Sequence, residues 1–258
     1  MLYNILAIGD VVGGCGVSCL ERHLRAMKKL KNIHFTVVNG ENAAMVGLTP
    51  NDAERIFSAG ADVITLGNHT FGKMQITDYL DDCPYILRPH NLGARVPGRG
   101  YGVFDCGRAR VAVMNLIGRC DLAFHADNPF KTADELLKSG EKPTFTLLDF
   151  HAEATSEKLA MAYYLDGRVS AIWGTHTHVP TADNRVFPKG TGYVTDLGMT
   201  GPIESVLGVR AELVIKKQIS KMPVRFDFAD GPCKLDCILF DIDEKTGLTR
   251  STERFSLR

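Results

Sequence analysis

Tyr3-Asn4-Ile5-Leu6-Ala7-Ile8-Gly9-Asp10 reads as a buried strand that stops on a carboxylate. Its apolar residues run on instead of alternating, as in a strand covered on both faces. Four more runs have the same form. His34-Phe35-Thr36-Val37-Val38-Asn39-Gly40 ends on Glu41, and Ala61-Asp62-Val63-Ile64-Thr65-Leu66-Gly67 ends on Asn68 and His69. Thr144-Phe145-Thr146-Leu147-Leu148-Asp149-Phe150 ends on His151, and Val169-Ser170-Ala171-Ile172-Trp173-Gly174-Thr175 ends on His176 and His178. In an open α/β sheet, ligands and chemistry gather beyond the carboxyl ends of the strands. Five runs that each end on a potential metal ligand point to one site built from converging strand ends.

Between and after these runs the pattern changes to helical spacing, which favours a layered α/β fold. Residues 17–30 carry Leu20, Leu24, Met27 and Leu30 on one face. Thr49 followed by Pro50 is a helix start, with the helix running to Ala59. Further helices are expected over residues 74–80, over 128–138 with Gly140 as the stop, and over 154–165 with Gly167 as the stop. Residues 101–104 and 111–116 flank a polar turn at 107–110 and read as an antiparallel hairpin. Strands are expected at 192–195, 224–228, 233–242 and 249–256, and a helix at 213–219. The sheet is therefore mixed, and two packed sheets covered by helices use all of these pieces. With 258 residues, one domain spanning 1–258 is expected.

Thirty basic residues balance thirty acidic ones. That gives no global attraction for nucleic acid or an anionic membrane, and no large nucleic-acid surface is expected. No apolar stretch approaches the roughly 18 residues of a membrane span, and the N-terminus does not read as a signal peptide. Seven cysteines without a C-x-x-C pair read as free thiols in a reducing cytoplasm, which is the expected location. Homo-oligomerisation is left open.

The candidate ligands are two carboxylates, Asp10 and Glu41, the amide of Asn68, and three imidazoles, His151, His176 and His178. On extended backbone, His176 and His178 would point to the same side. No thiolate belongs to the set. The mixture suits first-row metals such as iron, manganese, cobalt or zinc better than calcium or magnesium. Six ligands with one bridging carboxylate are enough for two ions, and such a pair can hold a hydroxide nucleophile and clamp phosphoryl oxygens. His69 is then spare and free to act as general acid. Asp149 and Glu153 are candidates to orient a ligating imidazole. A dinucleotide-binding fingerprint competes for residues 9–16, but Cys19 stands where its last glycine belongs, and it leaves the histidines unexplained.

The motifs Ile8-Gly9-Asp10-Val11-Val12-Gly13, Asn39-Gly40-Glu41-Asn42-Ala43-Ala44, Gly67-Asn68-His69, Asp149-Phe150-His151-Ala152-Glu153-Ala154-Thr155-Ser156-Glu157-Lys158 and Gly174-Thr175-His176-Thr177-His178 resemble those of the calcineurin-like metallophosphoesterases. With Thr181-Ala182-Asp183 and Thr195-Asp196-Leu197-Gly198-Met199-Thr200-Gly201-Pro202, they look like the bacterial YmdB-type branch. The resemblance implies a four-layer αββα sandwich of two mixed sheets flanked by helices, with two metal ions per chain, iron or manganese first. It implies one ion held by Asp10 and His178 and the other by Asn68, His151 and His176. Glu41 would bridge them, His69 would be the acid, and Asn42 would lie near the first ion or the substrate. The activity implied is hydrolysis of a small cyclic nucleotide, a 2′,3′-cyclic phosphodiester opened to the 3′-phosphate. A phosphomonoesterase and a non-catalytic nucleotide-binding regulator are the alternatives. Val12 stands where the wider superfamily has histidine, which thins the shell of the first metal, and Glu41 stands where it has aspartate. Within the branch, Cys15, Phe71-Gly72 and His90 depart from the usual residues.

Overall fold

A computed structural model describes residues 1–122, 125–138 and 142–258. In chain order its elements are β1 (Leu2–Ile8), β2 (Asp10–Val11), α1 (Gly13–Leu30), β3 (Phe35–Asn39), α2 (Pro50–Ala59), β4 (Val63–Thr65), α3 (Ile76–Asp82), β5 (Ile86–Leu87), β6 (Tyr101–Asp105), β7 (Arg110–Ile117) and α4 (Pro129–Lys138). There follow β8 (Phe145–His151), α5 (Thr155–Leu165), β9 (Ala171–Thr175), β10 (Arg185–Val186), β11 (Gly192–Val194), β12 (Met199–Pro202), α6 (Ala211–Ser220), β13 (Cys233–Asp243) and β14 (Thr249–Leu257).

The first sheet runs β2-β12-β13-β1-β3-β4-β5, with β14 added to β13. The second runs β10-β11-β9-β8-β7-β6. Both are mixed. β1, β3, β4 and β5 are parallel, while β13 is antiparallel to β1. β7, β8, β9 and β11 are parallel, and β6 closes the predicted hairpin with β7.

The continuous apolar runs arise because each central strand is covered twice. Tyr3, Ile5 and Ala7 of β1 face the layer between the sheets, where they meet Phe145, Leu147, Trp173 and Phe240. Leu6 and Ile8 of the same strand face the helical layer with Leu20 and Leu24 of α1 and Ile56 of α2. A third cluster lies under α5, where Met161, Ala162 and Leu165 cover Leu148, Phe150 and Ile172. The order helices, sheet, sheet, helices is the expected αββα sandwich.

Thr49 caps α2 as the sequence suggests, its hydroxyl accepting from Asp52 N–H at 3.2 Å. α1 begins at Gly13, four residues before the apolar periodicity. Its first turn packs through glycine: a Cβ on Gly16 would lie 2.3 Å from Thr200 O. The expected stop of α4 at Gly140 lies outside the described residues.

Two expectations are corrected. Residues 224–228 are not a strand, and only Phe228 makes a single bridge, to Val209. The alternation of Val224, Phe226 and Phe228 is real, but among the described residues it finds only that one bridge, so tertiary context overrides propensity. Phe226 lies under the Lys217 ammonium at 4.9 Å instead, and Phe228 packs on Gly13. Nor are all seven cysteines free. Cys15 of α1 and Cys233 of β13 are joined in a disulfide across 218 residues. The docking of α1 against β13 brings them together, which their spacing in the chain does not reveal. The β12 strand also went unread, because Gly201 and Pro202 mask it and its pairing comes from β13 and β2. No helix among the described residues is long and apolar enough to cross a membrane.

Candidate metal centre

The carboxyl ends of the two parallel strand sets meet across the sandwich. From the first sheet come Asp10 after β1, Glu41 after β3, and Asn68 and His69 after β4. From the second come His151, the last residue of β8, and His176 and His178 after β9. All the candidate ligands therefore reach one region. Asp10, Glu41 and His151 are 1 % exposed or less.

His151 Nε2 is the centre of one group. It lies 2.8 Å from Asn68 Oδ1, 3.1 Å from Glu41 Oε1 and 3.1 Å from His176 Nδ1. Oxygen and nitrogen lone pairs face one another here. A single proton on Nε2 cannot serve three acceptors at once, whereas a cation can. The nitrogen and oxygen donors of Glu41, His151 and His176 lie within 4.8 Å of one another. This set fits a borderline first-row metal by its chemistry.

Asp10 marks the second group. Its Oδ2 accepts from His176 N–H at 3.2 Å, but its Oδ1 is buried with no hydrogen-bond partner. An orphaned buried carboxylate oxygen is costly unless something positive meets it. His178 Nε2 lies 3.8 Å away, and Asn42 Nδ2 lies 3.1 Å from the same ring nitrogen. Glu41 spans both groups. Its Oε1 faces His151 and accepts from Asn42 Nδ2 at 3.2 Å, and its Oε2 accepts from His69 N–H at 3.0 Å. Glu41, His151 and His176 are together able to hold a metal ion, and Glu41 also touches Asn42 of the second group.

Gly67 makes that approach feasible. A Cβ on it would stand 2.3 Å from His151 Nε2 and 2.4 Å from Glu41 Oε2. Only a residue without a side chain fits this position.

His176 and His178 reach the site differently from the expectation. Their backbones are not extended; φ is 103° and 63°. Positive φ is uncommon for non-glycine residues and is tolerated where the surroundings fix it. The turn sends His176 towards His151 and His178 towards Asp10, so the two rings serve different groups. Leu207 O accepts from His178 Nδ1 at 3.2 Å and fixes the outer ring.

Electrostatics follow from burial. Burial raises the Asp10 carboxyl to about 6, against the opposing pull of His178 and His151. Burial also opposes Glu41, but His151 and the His69 contacts outweigh it and hold Glu41 at about 2. His151 is the mirror image: burial disfavours its charge, and Glu41 overcomes this and raises it to about 9. Burial and the neighbouring His151 lower His176 to about 3, so that ring is neutral and its lone pair is available.

Of the supporting residues expected, Glu153 Oε2 lies 3.1 Å from His176 Nε2. Asp149 contacts no imidazole among the described hydrogen bonds and reaches His151 through Thr175. His69 sits half-buried at the edge, Nε2 3.3 Å from Asn68 Nδ2.

Lys158 and Asp196 stand within the motifs that carry the resemblance, but the sequence attaches no role to either. They form an ion pair at 2.7 Å, each 1 % exposed. Asp196 also accepts from Thr177 N–H at 3.2 Å and from Gly198 N–H at 2.9 Å. A signal was available: Lys158 occupies the core-facing stripe of α5 with Met161, Ala162 and Leu165. A lysine there needs a buried partner.

Residues 6–255 match the sequence profile of the YmdB-like protein family. The chain belongs to the YmdB-like family. A relative from Bacillus subtilis strain 168, named 2′,3′-cyclic-nucleotide 2′-phosphodiesterase, is 47 % identical over 253 residues, covering 97 % of this chain and 96 % of its own. The crystal structure of a phosphatase from Mycoplasma pneumoniae superposes with a TM-score of 0.93 at 34 % identity, covering 100 % of this chain and 94 % of its own. A protein of Thermus thermophilus gives a TM-score of 0.92 at 34 % identity, covering 99 % of both chains. The relatives from B. subtilis and M. pneumoniae are thus named phosphodiesterase and phosphatase, and both terms denote hydrolases.

Proposed function

We propose that this YmdB-like chain is a metal-dependent phosphodiesterase that opens 2′,3′-cyclic nucleotides to the 3′-phosphate. The observation that carries the reading is the convergence of Asp10, Glu41, Asn68, His151, His176 and His178, buried or half-buried, on one region. The name of the B. subtilis relative supplies the substrate class.

In this reading Asn68, His151 and His176 would hold one ion and Asp10 and His178 the other, with Glu41 placed to serve both. Iron or manganese suits this donor set. When bound, such a pair supplies a water of lowered pKa as nucleophile and a Lewis-acid clamp for the phosphoryl oxygens. The chain's own residues do the rest. Asn42, beside His178 and Glu41, offers an amide to a phosphoryl oxygen. Hydrolysis breaks the bond between phosphorus and the 2′-oxygen, and that oxygen must gain a proton. His69 is the proton donor: it is held at the rim by its backbone bond to Glu41, with its ring beside the Asn68 amide.

The test incubates purified protein with Mn²⁺ or Fe²⁺ and a panel of 2′,3′-cyclic and 3′,5′-cyclic nucleotides and nucleoside monophosphates. Elemental analysis of the same sample counts the ions. We expect 3′-monophosphate from the 2′,3′-cyclic substrates and up to two ions per chain. Turnover of monoesters alone would favour a phosphomonoesterase, in line with the M. pneumoniae relative being called a phosphatase. No turnover with either metal would overturn the reading.

A further inference from the structure

Asp149 is fully buried, and three donors converge on it. Thr175 Oγ1 donates to Oδ1 at 2.7 Å, Thr65 Oγ1 donates to Oδ2 at 2.5 Å, and Asn39 Nδ2 donates to Oδ2 at 3.3 Å. The strand register builds this arrangement. Asp149 and His151 are two apart on β8, so they share a face. Thr175 of β9 is paired with His151 directly across the ladder. Thr65 and Asn39 come from the ends of β4 and β3 in the opposite sheet.

Thr175 is the only bridge among the described residues between this carboxylate and the imidazole. Its Oγ1 lies 2.9 Å from His151 Nδ1, and both residues are 0 % exposed. A hydroxyl carries one proton. Thr175 gives that proton to Asp149, so it can only accept from His151. Asn39 Nδ2, also a donor and 3.4 Å from the same hydroxyl, turns the proton the same way. Nδ1 of His151 must therefore bring the hydrogen, which leaves Nε2 as the nitrogen whose lone pair a metal would take up once its proton has left. That nitrogen is the one facing Asn68, Glu41 and His176.

We propose that Thr175 is a positioning residue: its hydroxyl relays the Asp149 carboxylate to His151, fixing the ring's tautomer and rotation so that Nε2 is presented to the metal. This rests on the metal-binding reading of the site given above. Partners that orient a ligating histidine typically change metal affinity 10–100-fold. The role needs a hydroxyl and not merely a side chain of this size. Valine fills the same space and cannot accept from Nδ1. Serine keeps the acceptor.

The test is calorimetric titration of Mn²⁺ into chelator-stripped protein, with thermal melting of each variant beside it. We expect Thr175→Val to weaken Mn²⁺ binding about 10–100-fold and Thr175→Ser to bind as the wild type does. Unchanged affinity in Thr175→Val overturns the proposal, as does a folded Thr175→Ser variant as weak as Thr175→Val. Should Thr175→Val not fold, Asp149→Asn decides: weakened Mn²⁺ binding supports the relay and unchanged binding overturns it. Wild-type protein that binds no Mn²⁺ would overturn the underlying reading as well, an outcome distinct from a wild type that binds and a Thr175→Val variant that binds equally.

Discussion

Lys158 lies 2.7 Å from Asp196 in a fully buried ion pair, and the same carboxylate holds the backbone of Thr177 between the two histidines of the site. The pair thus carries the left-handed turn at residues 176–178. Removing the lysine leaves a buried charge without its counterion, which costs about 3–5 kcal/mol. Lys158→Met should lower the unfolding free energy measured in urea by that amount and weaken Mn²⁺ binding at the same time. A variant within about 1 kcal/mol of wild type would show that Asp196 needs no partner.

The His69 ring lies at the rim of the ligand cluster, beside Asn68. His69→Ala should retain the metal found by elemental analysis while kcat falls about 10²–10⁴-fold. Loss of metal in this variant would mean that the ring is a ligand and not an acid.

Gly67 is fixed by its neighbours. A methyl group there would press on His151 and Glu41 together. Gly67→Ala should cost about 1–3 kcal/mol through overpacking and should lower the metal content. Full metal occupancy in this variant would contradict the close approach of Gly67 to the site.

The pH dependence of the metal-free protein follows from the buried charges. Burial acts against the His151 charge, but Glu41 prevails, and the proton is held to about pH 9 in the folded chain against 6.5 ordinarily. This pairing contributes fully below pH 6.5 and is lost as pH rises through about 9. Chelator-treated protein should therefore melt lower above about pH 9 than near pH 6.5, and His151→Gln should flatten that part of the curve. Asp10 moves the other way from a typical paired carboxylate, since burial lifts it to about 6. Metal binding requires its ionised form, so Mn²⁺ affinity should decline as pH falls through about 6. A curve that stays flat across that region would remove Asp10 from the ligand set.

The disulfide predicts a thiol count. Five cysteines are free, Cys19, Cys83, Cys106, Cys120 and Cys237. Alkylation of denatured, non-reduced protein should modify those five, with Cys15 and Cys233 reacting only after reduction. Closing so long a loop is worth about 2–5 kcal/mol, so reductant should lower the unfolding midpoint. Alkylation of all seven before reduction would refute the pairing.

The strand ends were legible because β1, β3, β4, β8 and β9 are buried on both faces, and an apolar run interrupted by a polar ligand is conspicuous. Thr65, Thr175 and Asn39 were harder to read. Each is one polar residue at a strand end, and its partner lies in another strand or in the opposite sheet. Lys158 was readable in principle from its place among Met161, Ala162 and Leu165, but its counterion lies 38 residues on. The backbone reversal at His176 and His178 has no glycine to announce it. Residues 224–228 show the converse failure, a correct alternation that finds only one bridge among the described residues.

β13 is among the last strands in the chain, yet it pairs with β1 along its whole length, from Leu2 opposite Asp243 to Ile8 opposite Cys237. During synthesis, β1 therefore waits with one edge bare until residues 237–243 of β13 have left the ribosome. An unpaired apolar edge invites misassociation. The nascent protein is most exposed to aggregation just before its final strands emerge, and a chain truncated ahead of Cys233 would remain in that state.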